Sequence, residues 1–235
     1  YKPNESVNLS VENAENTSID SVVYYSNNEK LGTATNNKML NFKLDKLQFG
    51  VQDIKAVVFY EGKNVECLTS FEIVSNITPK LYETKDYTIL NTFKHDTTAY
   101  TQGLEFYKGI LLEGTGQNGE STLRKTDYKT GKVSKSVPLS PDYFGEGITV
   151  FNGKIYQLTW KNKIGFIYNA ETLAQEKTFN YFADIEGWGL THNNKHLIMS
   201  DGTNKIYFLN PETQKMERSI NVYSDTNAIT ELNEL

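Results

Sequence analysis

Hydrophobic and polar residues alternate in short runs along this chain, separated every ten residues or so by Asn, Gly and charged pairs, which is the pattern of β-strands and tight turns. In the first third, the runs Val7 to Val11, Ser21 to Tyr25, Met39 to Leu44, Gln52 to Tyr60 and Cys67 to Val74 predict strands, with turns at Asn27-Asn28, Asn36-Asn37 and Glu61-Gly62. Ile54, Ala56 and Val58 alternate with Lys55, Val57 and Phe59, so the second set is polar only at its start, and a strand covered on both faces is expected. The spacing suits a small immunoglobulin-like sandwich. The pattern breaks at Asn76 to Pro79, and two modules follow from it, residues 1–78 and 79–235.

From about Leu81 the strands become repetitive. Residues 147–160 read as a hairpin around Asn152-Gly153, the strongest short hairpin signal, followed by runs at Gly165 to Asn169 and Glu176 to Phe179. A polar connection of one type recurs at Asn169 to Leu173, within Tyr207 to Thr213, and less closely at Lys125 to Gly131. One phrase recurs at a fixed step: Gln102-Gly103-Leu104, Glu146-Gly147-Ile148, Trp188-Gly189-Leu190 and Asn233-Glu234-Leu235, spaced 44, 42 and 45 residues apart. A period in the forties filled with short strands predicts the four-stranded blades of a β-propeller, whose equivalent positions converge on a central axis. Those positions carry an amide, a carboxylate, an indole and a second amide, which suit a polar pocket better than a core. Three blades cannot close a ring without leaving an open edge, so further blades are expected beyond Leu235.

Composition narrows the function. The 235 residues are 38% hydrophobic and 12% aromatic, with 15 Tyr, so the chain can bury a core. A net charge of −5 with mixed signs offers no basic stripe for nucleic acid. No apolar run approaches the length of a membrane span. The single Cys67 excludes an internal disulfide and a thiolate zinc site, and its apolar flanks Val65 and Leu68 predict ordinary strand packing. His192 and His196 have the spacing of helical metal ligands, but Asn193-Asn194-Lys195 between them reads as a hairpin turn, so no metal site is assigned. The sequon at Asn76 is of a kind expected by chance in an Asn- and Thr-rich chain.

Six ordered segments carry a resemblance: Ala99 to Phe106, Tyr143 to Thr149, Gln157 to Trp160, Glu186 to Thr191, Ser200 to Thr203 and Leu232 to Leu235. In order and spacing, over about residues 85–235, they resemble the plant and bacterial glutaminyl-peptide cyclotransferases. The resemblance implies an all-β chain with a five-bladed propeller, incomplete in this sequence, behind the immunoglobulin-like module. It implies an acyltransferase that converts the N-terminal glutamine of peptides or proteins to pyroglutamate with loss of ammonia, using no metal and no cofactor. Export is implied too, to the periplasm or the cell surface, with a lipid anchor ahead of Tyr1 as one route. Two departures stand out. Gly114 to Gly119 replaces the family's usual loop at one rim, and the family's second active-site Trp and its Lys belong to later blades beyond this sequence.

Cyclisation needs a neutral α-amine to attack its own side-chain amide, and ammonia leaves only once protonated, so one carboxylate that accepts and then returns a proton serves both steps. Glu146, in the segment resembling the family's acid/base motif, is assigned that role, with Gly145 and Gly147 leaving it accessible. Asn233 matches the family's amide donor to the developing oxyanion, a contribution of roughly 3 kcal/mol in a preorganised site. Trp188 is assigned as an apolar wall and Gln102 as an orienting amide, both substrate-binding. Blander roles compete: Glu-Gly at a solvated corner, Trp188 in a core, Gln102 and Asn233 satisfying backbone groups. Trp160 is read as structural and Asp201-Gly202 as a turn, while Asp184 and Glu186 either attract a substrate ammonium or simply sit in a solvated loop. The competing function is a non-catalytic propeller that binds peptides or another polar ligand in the same pocket.

Overall fold

The computed structural model describes residues 1–80 and 83–235, and the strands dominate it. The chain divides into two compact units, Tyr1–Lys80 with Asn221–Ala228, and Leu81–Ile220 with Ile229–Leu235.

In the first unit, β1 (Ser6–Leu9) pairs antiparallel with β4 (Leu40–Lys43). A second sheet has the order β3-β2-β5-β6, built from β2 (Ser21–Ser26), β3 (Glu29–Thr35), β5 (Gly50–Tyr60) and β6 (Lys63–Ile73). Val7 and Leu9 from one sheet share a core with Val22, Tyr24, Ile54, Ala56 and Val58 from the other. β5 is not covered on both faces as its sequence suggested. Gln52, Ile54, Ala56 and Val58 are buried, while Val51, Asp53 and Phe59 are exposed, so its Val and Phe content reflects strand preference on a solvent face. Cys67 is likewise exposed rather than packed, because β6 is the edge of its sheet and its middle lies open. β3 has no counterpart in the sequence reading. It is reached through a turn at Asn27-Asn28, both at positive φ, and its polar surface hides the alternation. The segment Asn221–Ala228 joins this unit through the Ser75 N–H to Ser224 O bond (2.8 Å) and the Asn221 amide to Phe49 O bond (2.6 Å).

The second unit contains, among its described residues, three antiparallel four-stranded sheets in which each strand pairs with its sequence neighbours. The first runs β7 (Thr101–Tyr107), β8 (Ile110–Thr115), β9 (Thr122–Asp127), β10 (Lys132–Pro138). The second runs β11 (Gly145–Phe151), β12 (Lys154–Thr159), β13 (Ile164–Asn169), β14 (Gln175–Asn180). The third runs β15 (Leu190–His192), β16 (Leu197–Ser200), β17 (Lys205–Leu209), β18 (Met216–Asn221). These are propeller blades. The middle blade is buried on both faces: Ile155, Phe166 and Tyr168 pack towards the first blade, while Tyr156, Leu158 and Ile167 pack towards the third. β11 to β13 are accordingly buried along almost their whole length, while the outer strands β10, β14 and β18 are largely exposed.

Turn chemistry repeats with the blades. Asn152 and Gly153 adopt positive φ (51° and 74°) in the hairpin between β11 and β12, and Lys108-Gly109 (50° and 81°) does the same between β7 and β8. Asp127, Asn169 and Asn210 each accept two backbone N–H bonds with one side-chain oxygen, from residues two and three further on, at 2.9–3.1 Å. The recurring polar connection is therefore one Asx turn used three times.

Inner strands of successive blades touch at backbone level through the glycines of the repeated phrase. A Cβ on Gly103 would lie 2.6 Å from the Ile148 nitrogen, one on Gly147 2.5 Å from the Leu190 nitrogen, and one on Gly189 2.1 Å from the Asn233 oxygen. No side chain fits between them. Gly147→Ala is expected to destabilise the second unit by about 1–3 kcal/mol, because fixed backbone must move. Gly109→Asn, in open space at a positive φ that Asn tolerates, should cost less than about 0.5 kcal/mol. Urea unfolding followed by tryptophan fluorescence checks this, since both tryptophans lie in the second unit; equal midpoints for the two variants would contradict the close approach.

Candidate active site

The repeated phrase sits on a β-bulge in each blade. In the first blade Thr101 pairs with Thr115 but Gly103 with Gly114, so Gln102 is the extra residue. In the second, Gly145 pairs with Thr159 and Ile148 with Gln157, which leaves one residue too many across Glu146-Gly147. In the third, Trp188 N–H donates to Ser200 O (3.1 Å) while Ser200 N–H donates to Gly189 O (3.0 Å), and Leu190 pairs with Met199. Trp188 and Gly189 together oppose Ser200. A bulge turns its side chain out of the regular alternation, and here it presents Gln102, Glu146 and Trp188 at equivalent places.

Gln102 and Glu146 meet directly, the Gln102 amide donating to Glu146 Oε2. Glu146 is buried, and among the described residues no cation pairs with it. Its carboxyl is pushed up to about 8, chiefly by burial, against a lowering by the Gln102 bond and with further raising by the negative charges of Glu234 and Glu186. At neutral pH it therefore holds a proton in the free protein. The backbone of the third blade abuts it: Gly147 N–H donates to Trp188 O at 2.9 Å.

Trp188 is half-buried, and its indole N–H donates to Glu186 Oε2 at 2.9 Å. Trp160 donates to the same oxygen at 2.6 Å. Glu186 is thus no free loop residue, whereas Asp184 is exposed and pairs only with Lys163. The sequence reading assigned Trp160 a structural part. Its ring continues an edge-to-face aromatic row, Tyr100 to Phe144 at 6.0 Å and Phe144 to Trp160 at 5.6 Å between centroids. Lys161 Nζ lies 3.8 Å from the Trp160 ring centroid. Gly116, within the loop that departs from the family pattern, leaves room for Phe144: a Cβ there would stand 2.3 Å from the ring. Tyr100, Phe144 and Glu186 each lie two residues before the repeated phrase, a second periodic position that the sequence already contained.

Asn233 is placed by its backbone, its carbonyl accepting the Ser200 hydroxyl at 3.0 Å. Its side chain is exposed and makes no hydrogen bond among the described residues, so Asn233 is not brought against Glu146 as Gln102 is. Tyr181, partly buried beside Thr159 with its hydroxyl donating to the Thr159 carbonyl at 2.6 Å, senses the Glu146 charge, and its phenol is raised mainly by desolvation. Asp201 accepts from Thr203 and from the Tyr207 hydroxyl (2.8 Å), which makes it a turn and packing residue. His192 and His196 flank a hairpin turn in which Asn193 N–H donates to His196 O, and their rings go to different partners, His192 to Thr149 and His196 to Glu217. Among the described residues, no group of three or more His, Cys, Asp or Glu could hold a metal ion, and no helix is long and apolar enough to cross a membrane.

A neutral buried carboxyl, an amide bonded to it and two indoles fixed by a second carboxylate can exchange a proton with a small polar molecule held against aromatic walls. Known proteins are similar to this chain in sequence and in fold. A glutaminyl-peptide cyclotransferase of Arabidopsis thaliana is 38% identical over 149 residues, which is 63% of this chain and 46% of that protein, so the chain spans about half the length of this relative. The crystal structure of Myxococcus xanthus glutaminyl cyclase superposes with a TM-score of 0.57 at 30% identity, over 63% of this chain and 62% of that one. Residues 64–235 match the family described as glutamine cyclotransferase, and the chain belongs to that family.

Proposed function

We propose that the protein is a metal-independent glutaminyl-peptide cyclotransferase, closing the N-terminal glutamine of peptides or proteins to pyroglutamate and releasing ammonia. The observation that carries this reading is Glu146, a buried carboxyl with a proton affinity matched to an α-amine, bonded to Gln102 and within reach of the charge of Glu186, which holds the indoles. The family match and the two named relatives support it.

An N-terminal amine has a pKa near 8, so proton transfer between it and Glu146 is close to thermoneutral. In its ionised form Glu146 takes a proton from the ammonium. The freed nitrogen attacks the side-chain amide carbon, forming the fifth bond of the ring. Glu146 then gives that proton to the departing nitrogen and takes up the second proton of the attacking nitrogen, so the C–N bond breaks, neutral ammonia leaves and the carboxyl ends protonated, as in the free protein. Gln102 orients the carboxyl and Trp188 holds the folded side chain against it, so that amine and amide stay at reaction distance. Asn233, whose side-chain amide is unbonded, is the proposed donor to the oxyanion. For the first unit we propose an immunoglobulin-like spacer, consistent with its two packed sheets, in an exported protein.

The reactive complex carries one proton shared between two groups that both titrate near 8, so kcat/KM for ammonia release is expected to be bell-shaped and centred near pH 8. Glu146→Gln in the full-length protein should lower kcat about 10²- to 10⁴-fold, with EDTA leaving the parent activity unchanged. Turnover surviving in that variant would remove Glu146 from the mechanism.

Burial also predicts a stability effect. Glu146 binds its proton more tightly folded than unfolded, so its contribution is fully present below the ordinary value of 4.5 and is lost as pH rises through about 8. Between pH 5 and pH 9 the parent should lose about 2–5 kcal/mol relative to Glu146→Gln, measured as the difference in urea unfolding free energy. Parallel pH profiles would show that Glu146 is not buried in its neutral form.

A further inference from the structure

One carboxylate oxygen holds both tryptophans of this protein. Glu186 Oε2 accepts the Trp160 indole N–H at 2.6 Å and the Trp188 indole N–H at 2.9 Å, so two aromatic walls from two blades are tied to one point. Its loop is fixed as well: Gly187 N–H donates to Trp160 O at 2.9 Å, and a Cβ on Gly187 would lie 2.2 Å from the Tyr181 hydroxyl. With both donors on Oε2, Glu186 Oε1 has no partner among the described residues, and the residue is half-exposed. Among the described residues, no Lys, Arg or His forms an ion pair with Glu186. Lys161, the nearby cation over Trp160, is engaged with the ring face instead.

An anionic oxygen in a fixed place beside aromatic faces is the chemistry that recognises an ammonium group, through a charge-assisted hydrogen bond together with the ring quadrupoles. We infer that Glu186 is the specificity-determining residue of the site, its Oε2 positioning Trp160 and Trp188 and its Oε1 accepting a hydrogen bond from the substrate's N-terminal ammonium. This rests on the cyclotransferase reading for the identity of the substrate, and on the hydrogen bonds above for the amine site itself. It accounts for a requirement that Glu146 cannot meet alone. A neutral carboxyl has no charge with which to select an ammonium, whereas a second carboxylate close by supplies it and also favours the protonated form of the first.

The two roles separate in two variants. Glu186→Gln keeps an oxygen that can accept both indole N–H groups but removes the charge, and Glu186→Leu removes both. The probes are a glutaminyl-alanine dipeptide and its N-acetylated form, titrated against the chain by tryptophan fluorescence, with ammonia release assayed in parallel and folding checked by circular dichroism. The parent should bind the free-amine peptide at least about tenfold tighter than the acetylated one. Glu186→Gln should leave the emission maximum in place and bring the two peptides within about twofold, chiefly by weakening the free-amine peptide; Glu186→Leu should also shift the emission. Discrimination that persists in Glu186→Gln, or a parent that binds both peptides equally or neither, overturns the inference. Should Glu186→Leu fail to fold, the Glu186→Gln comparison decides alone. Ammonia release with unaltered discrimination would sink this assignment while leaving the cyclotransferase reading intact. Amine selectivity lost in Glu186→Gln, without ammonia release by the parent, would do the reverse.

Discussion

The constraint on which the second unit depends is contact between the inner strands of adjacent blades at Gly103, Gly147 and Gly189, where the next strand's backbone occupies the place of a side chain. Such an approach lets one strand bond to the next, as in the Gly147 N–H to Trp188 O bond, and leaves no space for a conventional hydrophobic layer along the axis. The residue before each glycine must then go elsewhere. A bulge at that point directs it out of the strand's regular alternation, and the side chains placed there are Gln102, Glu146 and Trp188. Architecture and site therefore arise from one local device repeated at the blade period.

Burial sets the chemistry of Glu146. Removing a carboxylate from water without a cation costs more than one amide bond from Gln102 returns, so the group remains protonated until about pH 8. Had an Arg or Lys stood beside it, the same burial would have produced a structural ion pair and no mobile proton. Glu186 shows the opposite solution. Two indole donors converge on one of its oxygens, so a carboxylate near the first is held by hydrogen bonds from uncharged groups. Two acids a short way apart are thereby given different work by their surroundings.

Much of this was legible in the sequence, and the parts that were not have physical causes. The period of the Gln-Gly-Leu phrase identified the blades and the positions that meet, and Asn152-Gly153 fixed a hairpin. The Gln102 to Glu146 pairing was expected only as two residues of one pocket, because spacing along the chain does not reveal which bulges face each other. Trp160 was read as packing, and Glu186 either as an attractor of a substrate ammonium or as a solvated loop residue, since an indole N–H acquires meaning only from its acceptor, and that acceptor lies 26 residues away. A periodic signal existed at Tyr100, Phe144 and Glu186 but changed residue type from blade to blade. In the first unit the apolar residues of β5 misled because β-branched and aromatic residues favour strands on solvent faces as well as buried ones, and Cys67 misled because its strand is the open edge of the sheet.

The proton on Glu146 is the centre of the account, and ¹³C NMR of the glutamate side-chain carboxyls across pH 3 to 10 reads it without reliance on turnover. A carboxyl resonance that titrates near pH 8 and is absent from Glu146→Gln is the result expected from a buried acid held neutral at pH 7. A Glu146 resonance that titrates in the ordinary carboxylate range, near 4.5, would mean that water or an unrecognised partner stabilises its charge, and the matched proton exchange with an α-amine would be lost.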